Sequence, residues 1–147
     1  EQAADTETII VSIGGGGLMA GVAIAVKAVN PSVKLIGVEP IGAPTLYKSL
    51  KAKELVTLDA IETNAGSLAP RRSMPLNYEL ISESVDRMCL VSDEEMRGAA
   101  QLLWREFGIA TELAGAAAVA ALMTGRHVPQ QGERVVAIVC GAGTDGF

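Results

Sequence analysis

Four consecutive glycines, Gly14 to Gly17, stand between the apolar run Ile9-Ile10-Val11-Ser12-Ile13 and a long apolar stretch that opens at Leu18. Strand, glycine tract and helix in that order constrain the fold more than any other feature of the chain. Glycine admits positive φ and lets a ligand approach the backbone with no Cβ in the way. A helix starting near Leu18 aims its unpaired N–H groups and the positive end of its dipole at the same place. The combination describes a socket for an anion, most often a phosphate. A glycine-rich turn with no ligand is the simpler alternative, and the strand and helix flanks favour the socket.

The rest of the chain alternates in the same way. Leu18, Val22, Ala25, Val26 and Val29 recur at helical spacing up to Asn30-Pro31. Lys34–Glu39 reads as a buried strand closed by Pro40, followed by a helix from about Ala43 to Ala52. Residues 54–74 are polar and irregular, and Pro75 suits the first turn of a helix running to about Ser84. Asp86–Val91 is a short strand. Ser92-Asp93-Glu94-Glu95 spells a capping box for a helix that Gly108 stops near Phe107. A helix from about Glu112 to Thr124 is apolar all round and so should be buried. Arg134–Val139 is the last strand, and Cys140-Gly141-Ala142-Gly143 is a second glycine loop at its carboxyl end.

Such alternation predicts an α/β fold: an open parallel sheet of about four strands with helices on both faces. At 147 residues the chain, 1–147, is expected to be a single domain. Aromatic residues are only 3% of it, so Ala, Val, Ile, Leu and Met must build the core. Both glycine loops follow strands, and open α/β sheets bind ligands outside the carboxyl ends of their strands. One site shared by the two loops is the natural expectation.

Charge and cysteine usage narrow the partners. A formal charge of -5 and no basic stripe argue against nucleic acid; Arg71-Arg72 reads as a solvated loop. No apolar stretch is long enough to span a bilayer. Cys89 and Cys140 lie in apolar segments without a secretory leader, which points to free thiols and a cytoplasmic protein. The chain opens at Glu1 rather than methionine, as a piece of a longer polypeptide would.

Periodicity leaves two ligand classes open. Gly15-x-Gly17-x-x-Ala20 matches the dinucleotide fingerprint, with Glu39 as a ribose-binding acid, so an NAD-binding Rossmann-type fragment is one reading. That reading leaves the second glycine loop without a task.

Ser12-Ile13-Gly14-Gly15-Gly16-Gly17-Leu18 resembles the phosphate loop of fold-type II pyridoxal-phosphate enzymes, in the threonine/serine dehydratase branch. Further stretches resemble that branch in family order: Ile36-Gly37-Val38-Glu39-Pro40 with Gly42-Ala43-Pro44, Ala65-Gly66-Ser67-Leu68, and Val91-Ser92-Asp93-Glu94-Glu95. Glu112-Leu113-Ala114-Gly115-Ala116-Ala117 and Cys140-Gly141-Ala142-Gly143-Thr144-Asp145 complete the series. Together they cover essentially the whole chain, as the C-terminal part of the large domain of such an enzyme.

The resemblance implies pyridoxal 5'-phosphate, with Gly14, Gly15, Gly16, Gly17 and Leu18 holding its phosphate through backbone amides. Cys140, leading into Gly141, matches the position facing the pyridine nitrogen. A thiol there leaves the ring a weaker electron sink, which suits elimination. A cysteine ending a buried strand is equally a small core residue. Glu112 resembles a glutamate beside the cofactor, or it is a helix-start carboxylate favoured by the dipole. Glu39 and Ala43 match positions that ligate a cation in some relatives, but Thr45 stands where an acid would complete the site, so no tight metal is expected. Gly143 replaces a usual asparagine, and Leu113 a usual proline.

One component is missing. The family's chemistry needs a lysine bonded to the cofactor, carried in relatives by the N-terminal half in a Ser-Phe-Lys-like context. The lysines here are Lys27, Lys34, Lys48, Lys51 and Lys53, none after Ser-Phe and none beside a glycine loop. No catalytic residue is therefore expected in this chain. The expectation is a dehydratase fragment that holds cofactor but is inactive alone, pairing with itself as a homo-oligomer or with an N-terminal-half polypeptide. A non-catalytic self-associating module is the other class of reading.

Overall fold

In the computed structural model, which describes residues 3–146, four strands form one parallel sheet in the order β3-β2-β1-β4. The strands are β1 (Thr8–Ser12), β2 (Lys34–Pro40), β3 (Arg87–Val91) and β4 (Val135–Ala137). The helices are α1 (Gly17–Val29), α2 (Thr45–Ala52), α3 (Pro75–Ser84), α4 (Asp93–Phe107) and α5 (Leu113–Met123). A short 3₁₀ turn, Gly66–Leu68, precedes α3.

The sheet is apolar on both faces because successive side chains of a strand point opposite ways. Ile10 packs with Met96, Leu103 and the alanines of α5 on one face. Val11 packs with Met19, Ala23, Leu46 and Ile81, from α1, α2 and α3, on the other. The chain thus covers the α1 face while it lays down β1, β2 and β3. It then crosses by α4 and α5 on the opposite face to place β4 on the far side of β1. A sheet built outward in both directions from one strand creates a crevice at that strand's carboxyl end. The crevice lies between the loops that leave β1 and β4.

Local chemistry sets the element ends. Ser92 Oγ accepts from Glu95 N (3.1 Å) and Glu95 Oε2 accepts from Ser92 N (2.6 Å), closing the expected capping box of α4. Gly108, at φ +66°, ends that helix. Helix α5 is buried over most of its length, and a Cβ on Gly115 would collide with the Cys140 carbonyl. That close approach presses α5 against the second glycine loop.

Two expected boundaries shift by two residues. The last strand pairs only over Val135–Ala137, although Ile138 N still bonds Ile10 O at 3.0 Å. It has a single neighbour and lies half-buried at the sheet edge, so pairing stops where β1 turns away. Helix α2 starts at Thr45 rather than Ala43, because Ala43 N closes a turn onto Pro40 O (3.0 Å). Residues 54–74 are irregular as expected but are tied down from a distance. Leu58 N bonds Arg71 O at 2.7 Å, and Glu62 N bonds Gly42 O at 2.9 Å. Arg71 and Arg72, read from sequence as a solvated pair, donate to Leu58 O, Leu55 O and Thr57 Oγ1 and staple this segment.

Candidate functional site

The tetraglycine bend is shaped by two crowded glycines and opened by two free ones. A Cβ on Gly14 would lie 2.5 Å from the Ser67 carbonyl oxygen, and one on Gly16 would lie 2.8 Å from Ile81 Cδ1. Gly16 also sits at φ +91°, a conformation that side-chain-bearing residues rarely take, and it caps α1. Gly15 and Gly17 are exposed, with nothing within 4 Å of their Cβ positions. Gly17, Leu18 and Met19 form the first turn of α1, where N–H groups have no intrahelical acceptor. Among the described residues no protein group bonds the amides of Gly14 to Met19. A run of unpaired amides at the positive end of a 13-residue helix is an anion site.

The loop after β4 closes the other side. Ser12 Oγ and Cys140 Sγ lie 3.2 Å apart and join the ends of β1 and β4. Gly141, at φ +82°, turns its carbonyl to accept from Thr111 Oγ1 (2.8 Å) and Glu112 N (3.3 Å). A Cβ on Gly141 would strike the Glu112 carboxylate. Glu112 occupies the cap position of α5, yet its side chain caps nothing. Both its oxygens accept from Ser67 Oγ, at 2.9 and 3.1 Å. The capping acceptor for α5 is Asp145 Oδ1, 3.0 Å from Leu113 N. A proline at position 113 would have no N–H to give, so the leucine gains this bond.

Between the loops is a cavity of about 210 Å³, and Gly14, Gly15, Gly16, Gly17, Leu18, Glu112, Cys140 and Gly141 all line it. The structure therefore brings together the residues that the resemblance implies for the cofactor, but not Glu39, Ala43 or Thr45. Ser12 and Ser67, which the sequence does not single out, line it too. None of the five lysines does.

Glu39 belongs elsewhere. It is fully buried, and its two oxygens accept from Leu46 N and Tyr47 N at 2.8 Å each, at the start of α2. It cannot reach a ribose, which corrects the dinucleotide reading. Burial pushes its carboxyl from the ordinary 4.5 up to about 7, against the pull of those two N–H donors. Thr45 Oγ1 is likewise occupied, donating to Pro70 O at 2.7 Å. Among the described residues no group of His, Cys, Asp and Glu side chains has a metal-binding arrangement.

A family model described as pyridoxal-phosphate dependent enzyme matches residues 1–141. The chain belongs to that family. It is 43% identical over 145 residues to phenylserine dehydratase of Ralstonia pickettii, a match covering 99% of this chain and 44% of the relative. It is 34% identical to the L-threonine ammonia-lyase of Thermotoga maritima, covering 99% of this chain and 36% of the relative. The structure of maize serine racemase superposes with a TM-score of 0.89 at 31% identity, over 96% of this chain and 45% of that one. The chain spans less than half the length of each of these proteins and matches the C-terminal part of the dehydratases.

Pyridoxal 5'-phosphate is the group this family points to, and the cavity fits it. The bend offers backbone amides, with Gly15 and Gly17 leaving them open, where a phosphate ester needs donors. The Cys140 thiol and the Glu112 carboxylate, which line the same cavity, would be the side chains available to the cofactor's ring.

Proposed function

We propose that this chain is the cofactor-holding part of a pyridoxal-phosphate-dependent dehydratase that converts a hydroxy-amino acid to a 2-oxo acid and ammonia. The observation carrying the reading is that both glycine loops open into one cavity lined by unpaired amides, Glu112 and Cys140. The amides of Gly14 to Leu18 bind the phosphate and neutralise it without a cationic side chain. Cys140, kept in place by Ser12, would serve as the partner of the ring nitrogen. Glu112, kept in place by Ser67, would lie on the cavity wall available to the ring. When bound, the cofactor supplies the electron sink that loosens the α-hydrogen and lets a β-hydroxyl leave.

The absence of lysine from the cavity lining supports a tether supplied by another segment, so the chain is inactive alone. In the relatives more than half of the length lies outside the match, which supports an N-terminal-half polypeptide as the partner that completes the site. Such an enzyme works in the cytoplasm, where its two cysteines stay free.

A self-associating role has its own support. Helix α1 presents Leu18, Ile24 and Val29 to solvent, the last 88% exposed, next to the edge strand β4. A homo-oligomer would cover both.

Titration of the purified chain with pyridoxal phosphate, followed by borohydride reduction and mass analysis, tests the proposal. The expected result is phosphate-dependent binding with no lysine adduct at the cavity and no turnover of serine, threonine or phenylserine. A stoichiometric lysine adduct with turnover refutes the inactive-fragment reading. Absence of binding to chain paired with its N-terminal half refutes the cofactor assignment.

A further inference from the structure

The glycine bend is held from behind. The Gly15 carbonyl turns towards α3, where it accepts from Ser73 Oγ at 2.9 Å and Asn77 Nδ2 at 2.8 Å. Ser73 is only 5% exposed, so its hydroxyl is committed to this contact rather than to water. Two donors saturate the two lone pairs of one carbonyl oxygen. The same face of α3 crowds the next residue: the Cβ position of Gly16 lies 2.8 Å from Ile81 Cδ1 and 3.2 Å from Asn77 Cβ.

These contacts control where an amide points. The peptide between Gly15 and Gly16 is trans and planar, so its C=O and N–H project in opposite directions. Fixing the carbonyl towards α3 aims the Gly16 N–H away from α3, towards the cavity. Glycine pairs flip their shared peptide readily, since neither residue has a Cβ to resist. A flipped peptide would present a carbonyl oxygen to a phosphate oxygen and repel it. The bend by itself therefore does not choose between a donor and an acceptor at this point of the cradle.

We infer that Ser73 and Asn77 are positioning residues for the anion site, clamping the Gly15–Gly16 peptide so that it presents its N–H to the ligand. The inference rests on reading the bend as a phosphate cradle. Pro75 contributes by starting α3 there: it occupies the first helical position, so Asn77 falls in the first turn, facing the bend. A ligand that needs one peptide orientation binds more weakly in proportion to the fraction that has flipped. Loss of one hydrogen bond shifts such a balance several-fold, and loss of both roughly tenfold or more.

The test uses the chain itself, with inorganic phosphate and pyridoxal phosphate as separate probes and the glycine amides followed by ¹⁵N–¹H NMR. Ser73→Ala, Asn77→Leu and the double variant remove the donors, and Ser73→Thr keeps the hydroxyl. Expected are phosphate-dependent shifts of Gly14 to Leu18 in the parent and several-fold weaker binding in each single variant. The double variant should bind roughly tenfold more weakly, and Ser73→Thr should recover binding. The Gly16 amide resonance should already move in the unliganded variants while those of β1 and β2 stay in place. Parent-like affinity in the double variant overturns the clamp. If the double variant does not fold, Asn77→Leu alone decides the matter in the same way. A parent whose glycine amides ignore both probes refutes the cradle itself, and a Gly16 resonance that still answers to the variants then leaves the clamp a packing contact only.

Discussion

Glu39 should make the stability of this protein fall as pH rises from about 4.5 to about 7. Its carboxyl is fully buried beneath α2, and burial raises it from 4.5 to about 7. A raised carboxyl holds its proton more tightly in the folded chain than in the unfolded one. The favourable contribution is complete below 4.5, declines as the unfolded carboxyl ionises, and is gone above about 7. Each unit of difference is worth about 1.4 kcal/mol, so the total is about 3 kcal/mol. Among the described residues no partner cation offsets it: the polar contacts of the side chain are the N–H groups of Leu46 and Tyr47. Urea unfolding of the parent and of Glu39→Gln, from about pH 4 to about pH 8, isolates this group, because every other titration is common to both proteins. The amide introduced by Glu39→Gln can accept only one of the two N–H groups, so the variant carries a pH-independent penalty of about 1–3 kcal/mol. The parent's advantage over Glu39→Gln should shrink by about 3 kcal/mol across that range. An advantage that stays flat would mean the carboxylate remains ionised in the fold, with the helix start compensating its burial.

Gly14→Ala drives a methyl to 2.5 Å from Ser67 O and 2.9 Å from Leu68 Cα, both backbone atoms that cannot step aside. It should lose about 1–3 kcal/mol in thermal unfolding and abolish phosphate binding; parent-like behaviour in both would contradict the packing. The two cysteines should part company towards a thiol reagent followed by mass spectrometry. Cys140 lines the cavity, whereas Cys89 is buried and its thiol is pushed up by that burial, against the pull of Arg87 and Arg126. Cys140 should label first and be protected by pyridoxal phosphate; faster labelling of Cys89 would count against the site.

The elements legible in the sequence are those whose causes lie within a few residues. The capping box at Ser92, the stop at Gly108 and the strand–glycine–helix run through Gly16 each depend on neighbours along the chain. The all-apolar α5 declares its burial by composition alone. Edge strand β4 is shorter than its apolar run because pairing depends on where β1 ends, which no local pattern encodes. Glu39 is open to a ribose or cation role in the sequence because its position says nothing of which way the carboxylate turns. The fold turns it into α2.

The order of the chain was enough to specify a parallel α/β sheet with two glycine loops at one edge. Glycine's missing side chain and the strand-to-helix transition act locally, so they are written locally. Tertiary packing alone decided how the cavity between those loops is furnished. Ser67 meets Glu112 across 45 residues, Asp145 caps α5 across 32, and Ser73 and Asn77 hold Gly15 across 58 and 62. Hydroxyls, amides and carboxylates at such separations acquire partners only when the helices close over the sheet, because a hydrogen bond needs contact within about 3 Å, whatever the distance along the chain.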